Sequence, residues 1–242
     1  MSKVIAIWGS PNSGKTSFAV KLANAVYDSF SATVIVVCPD MTTPGLPVLF
    51  PGAKSEDLCS LGTALSKAEI TQDEIVKAIA TVKSKQNMGF LGFCDGENKY
   101  TYPAYDEQKA TELLDILKTL AQVIIVDCSS LLTDTLSAVA VKNADEVICL
   151  ATPDLKCISY FSSQLPLFAD LKTDRHIQGI NVIENDCYMP VQDAKTHFKE
   201  VSFVLPYCHE IRQQALDGTL TKPVSDKKYT RKMTAIAENL LK

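Results

Sequence analysis

No stretch of this 242-residue chain is apolar for the length that a membrane-crossing helix requires. The first apolar run, Lys3 to Trp8, is also too short for the core of a signal peptide. A cytoplasmic location is therefore expected, with at most a peripheral place at the inner face of a membrane. None of the eight cysteines (Cys38, Cys59, Cys94, Cys128, Cys149, Cys157, Cys187, Cys208) forms a C-x-x-C pair. Most sit inside apolar runs and read as buried, reduced thiols rather than a disulfide or zinc framework. Cys208-His209-Glu210 brings three ligand types together, but adjacent residues rarely converge on one ion. Positive charge is not in excess. The net charge of −4 gives no general reason for nucleic-acid binding, so DNA is not an expected partner. Linkers, repeats and low-complexity segments are absent too, which predicts one domain over 1–242.

Against these absences stands Gly9-Ser10-Pro11-Asn12-Ser13-Gly14-Lys15-Thr16. It follows Lys3-Val4-Ile5-Ala6-Ile7-Trp8, a buried-strand pattern, and precedes Ser17 to Val26, whose apolar residues recur at helical spacing. A strand that turns tightly into a helix points several backbone N–H groups and the positive helix end at one spot. Lys15 adds a full charge for the β- and γ-phosphates, and the Thr16 hydroxyl can ligate Mg²⁺. Residues Gly9 to Ser17 are thus the candidate phosphate-binding residues. A chance glycine turn would match the pattern in about one chain of this length in a hundred, and the strand-then-helix context lowers that further. Pro11 suits the turn at the cost of one N–H, and Asn12 tolerates a left-handed backbone.

The rest of the chain alternates strand and helix patterns. Strands are expected at 33–38, 88–93, 123–127, 146–150, 177–183 and 201–205. Helices are expected at 73–82, 107–120, 130–142, 158–171, 191–199 and 229–242, with a proline-rich loop from Pro39 to Gly52. Continuously apolar strands alternating with helices predict an α/β fold of three layers, a mostly parallel twisted sheet with helices on both faces.

Phosphate chemistry calls for a metal, held by carboxylates at the ends of neighbouring strands. Asp127 ends Val123-Ile124-Ile125-Val126, a Walker B arrangement, and would hold Mg²⁺ together with Thr16. Asp40 follows the strand ending at Cys38. It is a candidate for the metal shell and, with Lys15, for catalysis by orienting the attacking water. A plain loop-capping role competes for each aspartate. Small GTPases share the string PNSGKT, but no Asp-x-x-Gly occurs, and Lys142-Asn143-Ala144-Asp145 has the wrong order for a guanine motif. ATP with Mg²⁺ is the expected ligand.

With these residues assembled, the chain resembles the MinD/ParA family of P-loop ATPases along essentially its whole length, and most nearly the CpaE/TadZ-like branch. VIVVCPDMTTPGL is similar to the family's second strand and switch I, with Asp40 at the second acidic position. VIIVDCSSLLTDTLSAVAVKNADEVICLATPD is similar to its Walker B, switch II and next strand. PYCHEIRQQALDGTLTKP resembles the segment that packs the adenine, which implies Pro206, Tyr207 and Cys208 as base contacts. INVIEND resembles the strand end that supplies a base-contacting asparagine, which implies Asn185.

Two departures bear on function. Ser10 stands where many members carry a second lysine that reaches a partner's nucleotide across a dimer, and Cys38 stands where the first switch aspartate would be. A cation aimed at developing phosphoryl charge is worth about 10³–10⁵ in rate, so slow hydrolysis is expected. The resemblance implies a positioning or assembly switch, for example for a secretion, pilus or conjugation apparatus, with a protein partner and an ATP-dependent homodimer. A catalytically weak scaffold and a ParA-type DNA-partitioning ATPase are the alternatives. Lys222, Lys227, Lys228, Arg231 and Lys232 form the one basic cluster, read as a solvated helix face. The stripe Met233, Ile236, Ala237, Leu240 and Leu241 reads as packed rather than lipid-facing. Tyr100, Tyr102 and Tyr105 read as a packed loop.

Overall fold

Runs of β-branched and apolar residues, buried on both sides, become the inner strands of one sheet. The computed structural model describes residues 2–54, 57–168, 176–184, 189–198 and 200–242. Its strands are β1 (Lys3–Gly9), β2 (Val34–Cys38), β3 (Ala80–Val82), β4 (Lys85–Gly92), β5 (Val123–Asp127), β6 (Glu146–Ala151), β7 (His176–Asn181) and β8 (Phe203–Leu205). They lie in the order β3-β4-β2-β5-β1-β6-β7-β8. Among the described residues every pairing is parallel except β3 with β4, which is antiparallel. Register is continuous through the centre: Ile5 lies beside Ile125 of β5 and Glu146 of β6.

The helices are α1 (Lys15–Phe30), α2 (Gly45–Leu49), α3 (Leu61–Leu65), α4 (Gln72–Ala78), α5 (Glu107–Leu120), α6 (Thr135–Asn143), α7 (Leu155–Gln164), α8 (Val191–Lys195), α9 (His209–Leu216) and α10 (Lys227–Leu240). Strand alternation divides them between two cores. Ile5 and Ile7 pack with Val20, Leu22 and Val26 of α1 and with Met233 and Ile236 of α10. Val4, Ala6 and Trp8 face the other way, onto Leu113 and Leu117 of α5, Val139 of α6 and Phe161 of α7. This is the three-layer arrangement expected from the sequence, with an antiparallel strand at one edge.

Several boundaries differ from expectation. The helical pattern at 73–82 stops at Ala78, and Ala80–Val82 leaves it to pair with β4. The helix expected from Ser130 begins instead at Thr135, where the Asp134 side chain accepts from the Ser137 N–H. That cap is worth about 1 kcal/mol and frees 128–134 to be a loop. Helix α2 lies inside the proline-rich loop, and α9 was not expected. The α7 pattern gives way at Leu165 to a 3-10 turn, and part of the expected 158–171 helix lies outside the described residues. The apolar stripe of α10 is buried, with Tyr229, Met233, Ile236, Ala237 and Leu240 against the α1 layer. Among the described residues no helix is long and apolar enough to cross a membrane.

Candidate functional site

Strand β1 lies at the centre of the sheet, and the loop at its carboxyl end runs directly into α1. Two glycines make that loop sterically feasible. A Cβ on Gly9 would stand 2.1 Å from the Leu150 carbonyl oxygen of β6. Gly14 has φ +78°, the left-handed region that favours glycine, and serves as the N-cap of α1. Aspartate side chains cap α5, α6, α7 and α10, whereas no side chain caps α1. Its first amides are left for an anion.

Lys15 folds back over the loop. Its Nζ donates to the carbonyls of Gly9 (3.3 Å) and Ser10 (3.0 Å) and to Ser130 Oγ (2.6 Å). Burial lowers the Lys15 pKa below the ordinary value, against the charge of Asp127. One residue on, Thr16 Oγ1 donates to Asp127 Oδ2 at 2.6 Å. The second Asp127 oxygen, Oδ1, is buried without a hydrogen-bond partner among the described residues. Burial lifts this carboxyl to about 6, opposed by the Thr16 hydrogen bond and Lys15 and reinforced by Asp40. Asp40 reaches the same cleft while its Oδ1 accepts from the N–H groups of Thr42 (2.7 Å) and Thr43 (3.3 Å).

These groups line a cleft of about 560 Å³, with Pro11, Asn12, Gly14 and Ser17 at its base and Ser129 to Leu131 along one wall. The donors fit a hard cation. Mg²⁺ takes one or two carboxylates plus phosphate oxygens and keeps several waters, so it needs no all-protein cage. None is present: among the described residues no group of three or more His, Cys, Asp or Glu could hold a metal. The partnerless Asp127 oxygen and the adjacent Thr16 hydroxyl supply the oxygen donors. Cys38 and Cys128 border the same cleft, but burial and the neighbouring Asp127 push both thiols well above their usual range. They stay neutral and offer no thiolate.

A second pocket of about 220 Å³ opens from the other side of Asn12, Gly14 and Ser17. Pro206, Tyr207 and Cys208 line it, as the resemblance implies for a base. The asparagine facing it is Asn181, the last residue of β7, whose Nδ2 donates to the Ser13 carbonyl at 2.9 Å. Asn185 lies outside the described residues. Asn181 and Ser130 were both missed: the first because a second asparagine follows four residues later, the second because its segment reads as helix. The opposite wall of the pocket comes from Ile211, Arg212 and Ala215 of α9 and Tyr229 of α10.

Ser10 is buried and its side chain lies beside the Cys157 thiol, pointing into the fold. Among the other cysteines, Cys149 and Cys208 are free and buried as expected, whereas Cys94 is half-buried and Cys59 exposed, and Cys187 lies outside the described residues. In the tyrosine loop, Tyr102 donates to Glu97 at 2.6 Å while Tyr100 is 83% exposed.

A strand, a glycine loop, an uncapped helix start and a carboxylate at the neighbouring strand end define a P-loop nucleotide-binding fold. No protein-family profile matches the chain, and no curated protein does. Solved structures do. A ParA family ATPase from Chlorobium tepidum superposes with a TM-score of 0.79 at 13% identity, over 98% of each chain. The septum site-determining protein MinD from Pyrococcus horikoshii, solved with Mg-ADP, gives 0.76 at 20% identity, over 99% of this chain and 96% of that one. A putative plasmid partition protein from Borrelia burgdorferi, bound to AMPPNP, gives 0.68 at 19% identity, over 100% and 97%. The chain has the MinD/ParA fold from end to end, and the likeness singles out no CpaE/TadZ-like branch.

One expectation falls here. The exclusion of DNA rested on net charge, and a plasmid partition protein of the same fold removes that ground. Net charge is a sum over the surface, whereas nucleic acid answers to a local patch. Lys222, Lys227, Lys228 and Arg231 are all exposed around the start of α10, although the chain as a whole is acidic.

Proposed function

We propose that this chain is a Mg²⁺-dependent ATP-binding switch, a single nucleotide-binding domain that turns over slowly and serves positioning of the cell-division or partition type. The observation that carries the reading is the meeting of Lys15, Thr16, Asp40 and Asp127 in one cleft that adjoins a pocket sized for a base. The loop amides and the Lys15 ammonium bind the triphosphate. Lys15 exchanges its Ser130 contact for phosphate oxygens as it does so. Asn181 and Pro206 to Cys208 enclose the base, and Asp40 orients the attacking water. Bound Mg²⁺ would neutralise charge on the β- and γ-phosphates, held by Thr16 and, through water, Asp127. Slow turnover follows from Ser10, whose short, inward side chain brings no second cation to the γ-phosphate.

Titration calorimetry with ATP, with and without Mg²⁺, tests the reading; absence of Mg²⁺-dependent binding would refute it. Turnover well above background that disappears in Asp40→Ala would overturn the weak-scaffold alternative.

Of the similar structures named above, one is a septum site-determining protein and one a putative plasmid partition protein, and none of the three names points to a secretion, pilus or conjugation apparatus. A DNA-partitioning role is the second reading, favoured by the exposed cluster Lys222, Lys227, Lys228 and Arg231. Retention on DNA in the ATP state, lost with rising salt and in Lys227→Glu/Lys228→Glu/Arg231→Glu, supports it. Unchanged retention in that variant rejects it.

A further inference from the structure

Six residues past the phosphate lysine, α1 buries a second one. Lys21 is 3% exposed on a helix face whose other buried residues are apolar except for Asn24. A lysine held there must satisfy its ammonium locally or lose its charge. Its Nζ donates to Gln214 Oε1, to the Leu220 carbonyl (2.6 Å) and to the Lys222 carbonyl (2.8 Å). All three acceptors lie about the far end of the chain, on α9 and the loop between α9 and α10. Gln214 in turn donates to the Pro223 carbonyl at 2.9 Å, and Glu210 accepts from the N–H (2.8 Å) and the hydroxyl (2.7 Å) of Ser225. A compact polar knot thus ties α1, α9 and the 217–226 loop together.

The same short helix carries the knot and a pocket wall. Glu210 and Gln214 belong to the knot, while Ile211, Arg212 and Ala215 line the pocket beside Asn181. Helix α9 brings little apolar anchorage of its own, since Gln214 is its one buried residue. Apart from the half-buried Ile211, which packs against the core, the tie that holds it to α1 is the Lys21–Gln214 contact.

We propose that Lys21 is a positioning residue for the nucleotide base: it touches no ligand, and by clamping α9 to α1 it fixes the outer wall of the base pocket. This rests on the ATP-binding reading above. The phosphate cleft is built from β1, β5, the loop after β2 and the first turn of α1; the knot engages α1 at Lys21, six residues beyond Lys15, and its acceptors lie on α9 and the loop after it, so the two halves of the ligand should respond differently.

The test compares Mg²⁺-ATP with inorganic tripolyphosphate, which has no base, by calorimetry on the full chain. In Lys21→Met, which removes the ammonium and keeps an unbranched side chain one atom shorter, ATP affinity is expected to fall about tenfold or more while tripolyphosphate affinity stays within about twofold. Gln214→Leu, at the other end of the knot, should give the same split, and Lys21→Arg should recover ATP binding at least in part. An equal loss for both ligands, or no loss for ATP, overturns the positioning role. Failure of the unsubstituted protein to bind ATP instead refutes the nucleotide reading, a separate result from either.

Discussion

Replacing Asp127 by asparagine removes one charge from the floor of the cleft and should move stability and binding in opposite directions. The carboxyl is fully enclosed, and with Thr16 and Lys15 already helping it still titrates at about 6 rather than 3.8. Holding it ionised in the folded, ligand-free protein therefore costs up to about 3 kcal/mol. The sign follows from proton counting. Between 3.8 and about 6 the folded state holds a proton that the unfolded chain has released, so the unsubstituted protein loses stability as pH rises through that window. Asparagine keeps the shape and an acceptor for the Thr16 hydroxyl, and it carries no such penalty. At about pH 7.5 without nucleotide or Mg²⁺, Asp127→Asn should melt roughly 6 °C higher, as about 3 kcal/mol implies for a chain of this size. Below about pH 4 the two proteins should converge, because both are then neutral at this position. The same variant should lose the rise in melting temperature that Mg²⁺-ATP gives the unsubstituted protein. Differential scanning calorimetry across pH reads both effects. Equal midpoints at neutral pH, or a gain that persists unchanged in acid, would show that the buried carboxylate is not the strained group described.

Other substitutions probe separate parts of the site. Gly9→Ala drives a methyl into the Leu150 carbonyl oxygen and should cost about 3 kcal/mol or more, read by denaturant unfolding; a loss below about 1 kcal/mol refutes the close approach. Asn181→Ala releases the Ser13 carbonyl and opens the base pocket, and ATP affinity should fall about tenfold in calorimetry with Mg²⁺ present. Ser130→Ala frees Lys15 from a contact that phosphate must displace, so tripolyphosphate should bind about threefold or more tightly; weaker binding would assign Ser130 to the ligand instead.

What the sequence made legible is what local chemistry and burial on both faces decide. Strands β1 and β5 are continuous apolar runs that only a doubly covered sheet accommodates. The phosphate loop is contiguous in sequence, and Asp127 is fixed by the strand before it. The losses occur where partners distant in sequence decide. Ala80–Val82 continues the helical periodicity of α4, and only the pairing with β4 makes it a strand. Helix α9 has almost no apolar stripe to betray it, because polar bonds to Lys21 hold it in place. The sequence points to Asn185 and passes over Asn181, because only the structure shows that β7 ends at Asn181 beside the pocket.

The two outermost strands are three residues each, and β3 shifts register between Thr81 and Val82. Between them lie apolar, β-branched segments such as Val34–Cys38 and Val123–Asp127, the kind of sequence that templates fibril growth when its backbone is free. An edge this short and irregular, followed directly by the exposed Lys83, gives a second chain little backbone to pair with. The antiparallel hairpin at β3–β4 thus serves as a stopper on self-association through the sheet.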